Sequence, residues 1–266
     1  YHFIGKDIVY HHYLFLPAMR LGLDNEFKLP DYIPTRGHLT LEGKKISKSR
    51  NWYIGLKDFL EKFPADYLRF YLISINPYSQ DDLNFDWEQF STKINSELIG
   101  NLGNLVNRVL GFTTKAFDGV VPKPETFDEK DSESEKKIMS LADDIGKLMR
   151  ENHLDRALKQ LMEFSAHFNQ YFQHKEPWKK EPGTNACIFL SVNAVRSIAI
   201  CLHSFLPKSS QKIWSQLGLE GNVSDISWNE MSELKLNAGH KIGIVEPIFS
   251  KVESSDIEKE QSKLGN

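Results

Sequence analysis

From Asp86 to about Gln216 the apolar residues return at the three- and four-residue intervals of amphipathic helices. That pattern commits the larger part of the chain to a helical bundle, so the fold class is mostly α. Asp86–Leu110 reads as one long helix, weakly interrupted by Gly100 and Gly103. Ile94, Leu98, Leu105 and Val109 form its apolar face, while Glu97, Asn101, Asn104 and Arg108 share the neighbouring polar one. Further helices are expected at about Glu135–Glu151, Leu154–His174, Asn185–Phe205 and Ser209–Leu217. Pro122–Lys137, rich in Pro and acids, reads as a surface loop within this domain. Trp87 and Trp214 lie on apolar periodicities and read as core.

The first residues look different. Tyr1–Ile4 ends like a strand, Gly5 marks a turn, and Asp7 is placed to cap a helix carrying Ile8, Tyr13, Leu14, Leu16 and Met19. Short strands are expected within Pro30–Arg36 and Gly37–Gly43. One strand–helix–strand crossover cannot close a sheet or bury both of its faces. Ile54–Phe85 reads as helix, helix and strand, with Asp66 capping Tyr67–Ser74 and Asn76-Pro77 as a turn. Lys241–Glu253 holds enough apolar residues to pack back on the body, and Ser254–Asn266 reads as a flexible tail.

Composition narrows the function classes. Of 266 residues, 40% are hydrophobic and 26% charged, as in soluble globular proteins. No apolar run reads as a bilayer span, so no membrane partner is expected. Cys187 and Cys201 offer neither a disulfide framework nor a zinc-ligand set, which suggests a reducing, cytoplasmic setting with no metal bound by this chain. The net charge of −3 argues weakly against nucleic-acid binding, but the acids cluster at Glu125–Glu135 and near the C-terminus.

The cations gather elsewhere. Lys44-Lys45-Ile46-Ser47-Lys48-Ser49-Arg50 packs four cations and two hydroxyls into seven residues without an acid. Ammonium groups, hydroxyls and backbone N–H groups together suit a polyanion such as a phosphate chain; the alternative is a solvated basic turn. Asn104 and Arg108 are of the types that read base edges, or they belong to an ordinary solvated helix face. Trp178, in Lys175-Glu176-Pro177-Trp178-Lys179-Lys180, suits stacking on an unpaired base, or it closes the core at a helix end. His2 reads equally as a packed histidine beside a strand.

Lys45–Ser49 reads KISKS and resembles the KMSKS signature of class I aminoacyl-tRNA synthetases, with Ile46 in place of Met. It follows, by about forty residues, His2-Phe3-Ile4-Gly5-Lys6-Asp7, which resembles a block of methionyl-tRNA synthetases. Glu97–Phe112, the Glu176-Pro177-Trp178 motif and Pro247–Glu253 extend the resemblance to about Glu253. It implies ATP-dependent activation of methionine and its transfer to initiator and elongator tRNA bearing a CAU anticodon. In that family's pattern Lys48 stabilises charge on the transferring phosphates, assisted by Lys45, while Ser47 and Ser49 shape the ATP-binding loop. His2 lines the methionine pocket; Lys6 and Asp7 either serve the adenylate site or start the helix; Arg36, Gly37 and His38 lead into the loop. Asn104, Arg108 and Trp178 contact the anticodon. Mg2+ accompanies ATP in the full enzyme.

The resemblance also implies a division of the chain. Residues 1–53 are the C-terminal part of a Rossmann-like catalytic domain, 54–85 a stem-contact region, 86–253 the anticodon-binding bundle with loop 122–137, and 254–266 the tail. The HIGH signature, zinc knuckle and connective domain of the family are not in this sequence. The expected partners are therefore methionine, ATP, tRNA and an N-terminal catalytic half, with room for a C-terminal dimerisation or tRNA-binding extension. The 266 residues alone are expected to bind tRNA without forming the adenylate. Two other readings stay open: a non-catalytic tRNA-binding module derived from a synthetase, or a class I synthetase for leucine, isoleucine, valine or cysteine. A helical protein-interaction scaffold, with no affinity for RNA, is the reading from an unrelated class.

Overall fold

The computed structural model describes residues 1–23 and 27–265. It is mostly helical, with two small sheets at one end. Strand β1 (Ile4–Gly5) pairs in parallel with β2 (Thr35–Arg36), and between them a 3-10 turn (Lys6–Ile8), a π-helical stretch (His11–Phe15) and α1 (Leu16–Leu21) run as the crossover. Asp7 makes no capping bond there. Its carboxylate instead lies 3.7 Å from His38 Nε2. Tyr10, Tyr13, Leu14, Phe15 and Met19 are exposed, and in residues 1–32 Ile4 is the one buried apolar side chain among the described residues. This crossover has no core of its own, as its short sheet requires.

The second sheet has the order β4 (Lys44–Lys45), β3 (Leu39–Leu41), β5 (Leu83–Phe85), with β3 antiparallel to β4 and parallel to β5. Glu42 and Gly43, at φ 49° and 71°, form the two-residue turn of the β3–β4 hairpin. Gly37 just before it tolerates no side chain, since a Cβ there would lie 2.0 Å from the Asp81 carbonyl oxygen. Helices α2 (Leu56–Lys62) and α3 (Ala65–Ser74) pack beside this sheet. Phe59, Phe63, Tyr71, Phe85, Trp87 and Phe90 form an aromatic cluster, each at most 5% exposed. Asp66 does not cap its own helix. Its carboxylate accepts from the backbone N–H and the hydroxyl of Ser209, both at 2.7 Å, in the first turn of α9 (Pro207–Gln216).

One continuous helical path runs from α4 (Trp87–Lys93) through a π-helical segment (Ile94–Gly103) into α5 (Asn104–Phe117). Asp86 caps its start by accepting from Gln89 N–H at 2.7 Å, and Glu42 accepts from Trp87 N–H at 2.9 Å. The hairpin is thereby tied to the beginning of the long helix. Ile94, Leu98, Leu102, Val106 and Leu110 are fully buried along it. Within the π-helical segment Glu97 pairs with Lys93 at 3.0 Å.

The bundle continues with α6 (Glu129–Arg150), α7 (Leu154–Lys175), α8 (Thr184–His203) and α9. The expected loop 122–137 is helical from Glu129 on. A reciprocal capping box, in which Asp128 accepts from Asp131 N–H and Asp131 from Asp128 N–H, starts the helix earlier than the acid-rich composition suggested. Helix α8 is the hub: every residue from Ala186 to Leu202 is buried. Its length and composition would also suit a membrane span, a point the sequence reading missed, but 94% of that stretch is buried inside the fold. Arg196, on α8, bonds Glu230, and the Asn193 amide both donates to and accepts from the Leu236 backbone, holding the irregular segment that follows α9.

Where a flexible tail is expected over 254–266, Ser254–Ser262 forms a helix. Asn95 makes two 2.9 Å bonds to the Val252 backbone, Tyr67 brackets Ser250 in the same way, and α10 (Ser254–Ser262) follows with Ile257 and Glu260 buried. Glu258, Lys259 and Lys263 face water and make this helix read like a linker, whereas Ile257 and Glu260 are the residues that hold it to the protein.

Where α6 starts, a partly buried network fastens it to the end of α7. Lys175 Nζ lies 2.8 Å from Asp128 and 2.7 Å from Asp131, and the Tyr171 hydroxyl donates to Asp131 at 2.6 Å. Burial disfavours the Lys175 ammonium, yet the two carboxylates outweigh it and hold its pKa above the ordinary value. The Lys175 hydrogen bond and the Asp131 N–H hold the Asp128 carboxyl below its usual 3.8. A lowered folded-state pKa means that Asp128 contributes stability fully above 3.8 and loses it as pH falls through the folded value. Urea unfolding followed below pH 3.8 should therefore fall more steeply for the native chain than for Asp128→Asn, which keeps a capping side chain. Equal acid slopes would contradict this.

Candidate functional site: the signature loop and a nucleic-acid interface

The β3–β4 hairpin presents the basic loop. Ser47 N–H donates to Trp52 C=O at 2.8 Å and Trp52 N–H returns to Ser47 C=O at 2.9 Å, closing a short loop between them. Within it Lys48–Arg50 makes a 3-10 turn that ends on Asn51 in the left-handed region, at φ 49°. The Ser47 and Ser49 hydroxyls are 3.2 Å apart. Lys44 Nζ rests 4.2 Å above the Trp52 ring, while Lys45, Lys48, Ser49 and Arg50 are exposed. Among the described residues no acid forms an ion pair with Lys44, Lys45, Lys48 or Arg50. The loop is thus a concentrated, uncompensated positive field on a backbone anchored at both ends.

The His2 block meets the strand that leads to this loop through Asp82, which sequence reasoning did not single out. Lys6 Nζ is 2.7 Å from the Asp82 carboxylate, and His38 N–H donates to the same oxygen at 2.7 Å. These bonds, the Lys6 one first, hold the Asp82 carboxyl below its ordinary range. His2 itself sits 3.3 Å from His12, Nδ1 to Nδ1, and its pKa is lowered by desolvation and then by His12 and Arg20. The ring is therefore neutral near pH 7. Arg36 does not join the loop. Its guanidinium stacks 4.5 Å over Tyr78 and donates to the Asn152 carbonyl at the α6–α7 corner.

At the other end of the molecule, Asn104 and Arg108 lie along the seam between α5 and α7. Asn104 Nδ2 donates to Asn169 Oδ1 at 3.2 Å, and Arg108 Nη2 donates to Gln173 Oε1 at 2.9 Å. Asn169 in turn donates to the side chain and backbone of Asn101, and Asn101 to the Met162 carbonyl at 2.8 Å. The Arg108 guanidinium lies 5.3 Å over Phe172. Residues 104 and 108 on one helix face 169 and 173 on the other, each pair one turn apart, so the polar groups form a ladder. Asn169 and Gln173 were missed in the sequence. Their signal was there, as two amides one turn apart beside the apolar Phe164, Phe168 and Phe172.

Helix α7 also carries Trp178. It ends at Lys175, Glu176 turns left-handed at φ 43°, and Pro177–Lys179 forms a 3-10 turn. Pro177 is buried, whereas Trp178 is 43% exposed, so this indole does not close the core. The Lys175 network pins the turn on one side. On the other, Gly183 N–H donates to Glu125. An open groove of about 400 Å³ lies beside the turn, lined in part by Phe112, Phe117, Glu125, Lys180 and Pro182. A positioned amide, a stacked guanidinium, an exposed indole and an adjacent groove suit unpaired bases.

Residues 1–110 match the family described as tRNA synthetases class I (M), and residues 121–266 match the anticodon binding domain of methionyl tRNA ligase. The methionine–tRNA ligase of Pyrococcus furiosus is 41% identical over 96% of this chain and 36% of its own length. That of Methanopyrus kandleri is 40% identical over 99% of this chain and 39% of its own. The chain therefore spans well under half the length of these relatives. Among solved structures, Mycobacterium tuberculosis methionyl-tRNA synthetase in complex with methionyl-adenylate superposes with a TM-score of 0.83 at 26% identity, over 93% of this chain and 49% of that one. Its apo form, at 23% identity and a TM-score of 0.82, shares the fold. By its two matched segments and the fold that joins them, the chain belongs to the methionyl-tRNA synthetase family of class I aminoacyl-tRNA synthetases.

Proposed function

We propose that this chain carries the signature loop and the anticodon-reading part of a methionine–tRNA ligase, which activates methionine with ATP and transfers it to tRNA bearing CAU. The observation that carries the reading is the α5–α7 ladder, Asn104–Asn169 and Arg108–Gln173, on the same helix whose end displays Trp178. Residues 1–53 supply the last catalytic segment, 54–85 contact the tRNA stem, and 86–253 read the anticodon.

In this reading the exposed cations of the loop act electrostatically. Lys48, with Lys45, stabilises negative charge on the transferring phosphates of ATP, which arrive with Mg2+, while the Ser47 and Ser49 hydroxyls bond phosphate oxygens. His2, neutral near pH 7, lines the methionine site. The apolar side chains exposed along residues 1–32 are the seat of the remaining catalytic residues of a ligase of the relatives' length. At the seam, Arg108 keeps four of its N–H donors beyond the Gln173 bond for base edges, and Asn104 presents an exposed amide.

An anticodon stem-loop of roughly 17 nucleotides bearing CAU should bind the chain in preference to single-base variants. Trp178→Ala should weaken binding by about 1–3 kcal/mol with little change in base preference, because stacking tolerates any base. Arg108→Ala should instead erase the preference at one anticodon position, at a cost of about 1–3 kcal/mol. Titration by fluorescence anisotropy measures both, and equal binding of all loops would sink the reading. The 266 residues alone should show no methionine-dependent ATP–pyrophosphate exchange. Exchange above background would contradict that division of labour.

A further inference from the structure

The ordered end of the chain returns to the base of the signature loop. Asn51 Nδ2 donates to the Lys263 carbonyl at 3.1 Å, and Gly265 N–H donates to the Asn51 carbonyl at 2.9 Å. Gly265 lies so close over Trp52 that a Cβ there would be 3.5 Å from the indole ring. Leu264 is half-buried against the core. Behind these contacts, buried Glu260 is held by Lys62 from α2 and by Lys263, the latter at 2.7 Å. Burial works against the Glu260 carboxylate, yet the two ammonium groups keep it ionised below its ordinary range. The helix that carries Glu260 follows the Val252 backbone, which Asn95 clamps.

These contacts fall on the C-terminal hinge of the loop. Asn51 is the residue at which the Lys48–Arg50 turn reverses, and Trp52 closes the loop against Ser47. A displacement of Lys48 and Ser49 that turned the backbone at Asn51 would strain its bonds to Lys263 and Gly265. At the opposite end Ile46 is exposed, and the loop is held there by the Ser47 backbone pairing with Trp52.

We propose that Glu260–Gly265 is a strap that sets how freely the signature loop moves, with Asn51 and Glu260 as positioning residues for Lys48. The positioning role rests on the phosphate-holding reading of Lys48; the strap itself does not. Amide hydrogen exchange on the full chain tests both. Asn51→Gly removes the side-chain bond while keeping the left-handed backbone at no steric cost. Glu260→Gln weakens the anchor without touching the loop. Each variant should speed exchange at Ser47–Trp52 by about fivefold, roughly the factor of one hydrogen bond, with the α8 amides unchanged. Inorganic triphosphate should slow exchange at Lys48–Asn51 in the native chain but not in Lys48→Ala, and Glu260→Gln should weaken triphosphate binding by a similar factor. Unchanged loop exchange in Glu260→Gln, with faster exchange at Lys263–Gly265, would overturn the strap. So would loop and α8 accelerating together, which is global destabilisation. Faster loop exchange with no triphosphate protection of the native chain would overturn the phosphate reading, and with it the positioning role, while the strap stands.

Discussion

The structure depends on the unbroken helical path from Trp87 to Phe117. Its first turn belongs to the aromatic cluster, where Trp87 and Phe90 pack on Phe59, Phe63 and Phe85. Its later turns bury Leu105, Val106, Val109 and Leu110 in the bundle. Truncating one such buried aromatic costs about 3–5 kcal/mol, so neither half can be loosened cheaply at this joint. Capping ties the path to the hairpin through Glu42 and Asp86, and the π-helical middle offers Asn95 to the returning C-terminal segment. The loop at one end and the polar ladder at the other are thus held on one member.

The two functional ends solve different electrostatic problems. At the loop, cations are left without acids on an anchored backbone, which favours a polyanion but tolerates motion. At the ladder, Asn104 and Arg108 each already have a protein partner, which orients the amide and the guanidinium for the base contacts we propose. Pre-orientation lowers the ordering cost of binding. The same logic explains the Trp178 turn, where Glu176, Lys180 and Gly183 all adopt positive φ between two anchors. An exposed indole on a fixed turn presents its face without first losing rotamer freedom to a collapsing loop.

Much of this was legible in the sequence. The helical period marked the bundle and alternation marked the β3 strand, but Lys44–Lys45, read as loop, pairs back on it as β4. The basic loop stood out by residue type, whereas Asn104, Arg108 and Trp178 were singled out by the resemblance to the family. What the sequence concealed were contacts between distant segments. Asp66 carries a helix-cap signal, but it caps α9 from another helix. Asp82 sits in a turn with no periodicity, yet it joins Lys6 to His38. The acidic stretches at 129–137 and 254–262 resemble linkers because charge is counted along the chain, whereas a local capping box starts one as a helix and buried Glu260 ties the other to Lys62 across the fold. The π-helical turns at Ile94–Gly103 likewise lie inside a stretch that the sequence reads as a regular helix.

The most direct test of the account is where RNA lies on the protein. A CAU stem-loop carrying 4-thiouridine in place of the anticodon uridine can be photo-crosslinked to the chain and the attachment mapped by peptide sequencing. The account predicts attachment within Asn101–Phe117 or Asn169–Pro182, on the two sides of the α5–α7 seam. Attachment confined to Lys44–Arg50 or to residues 1–32 would contradict it.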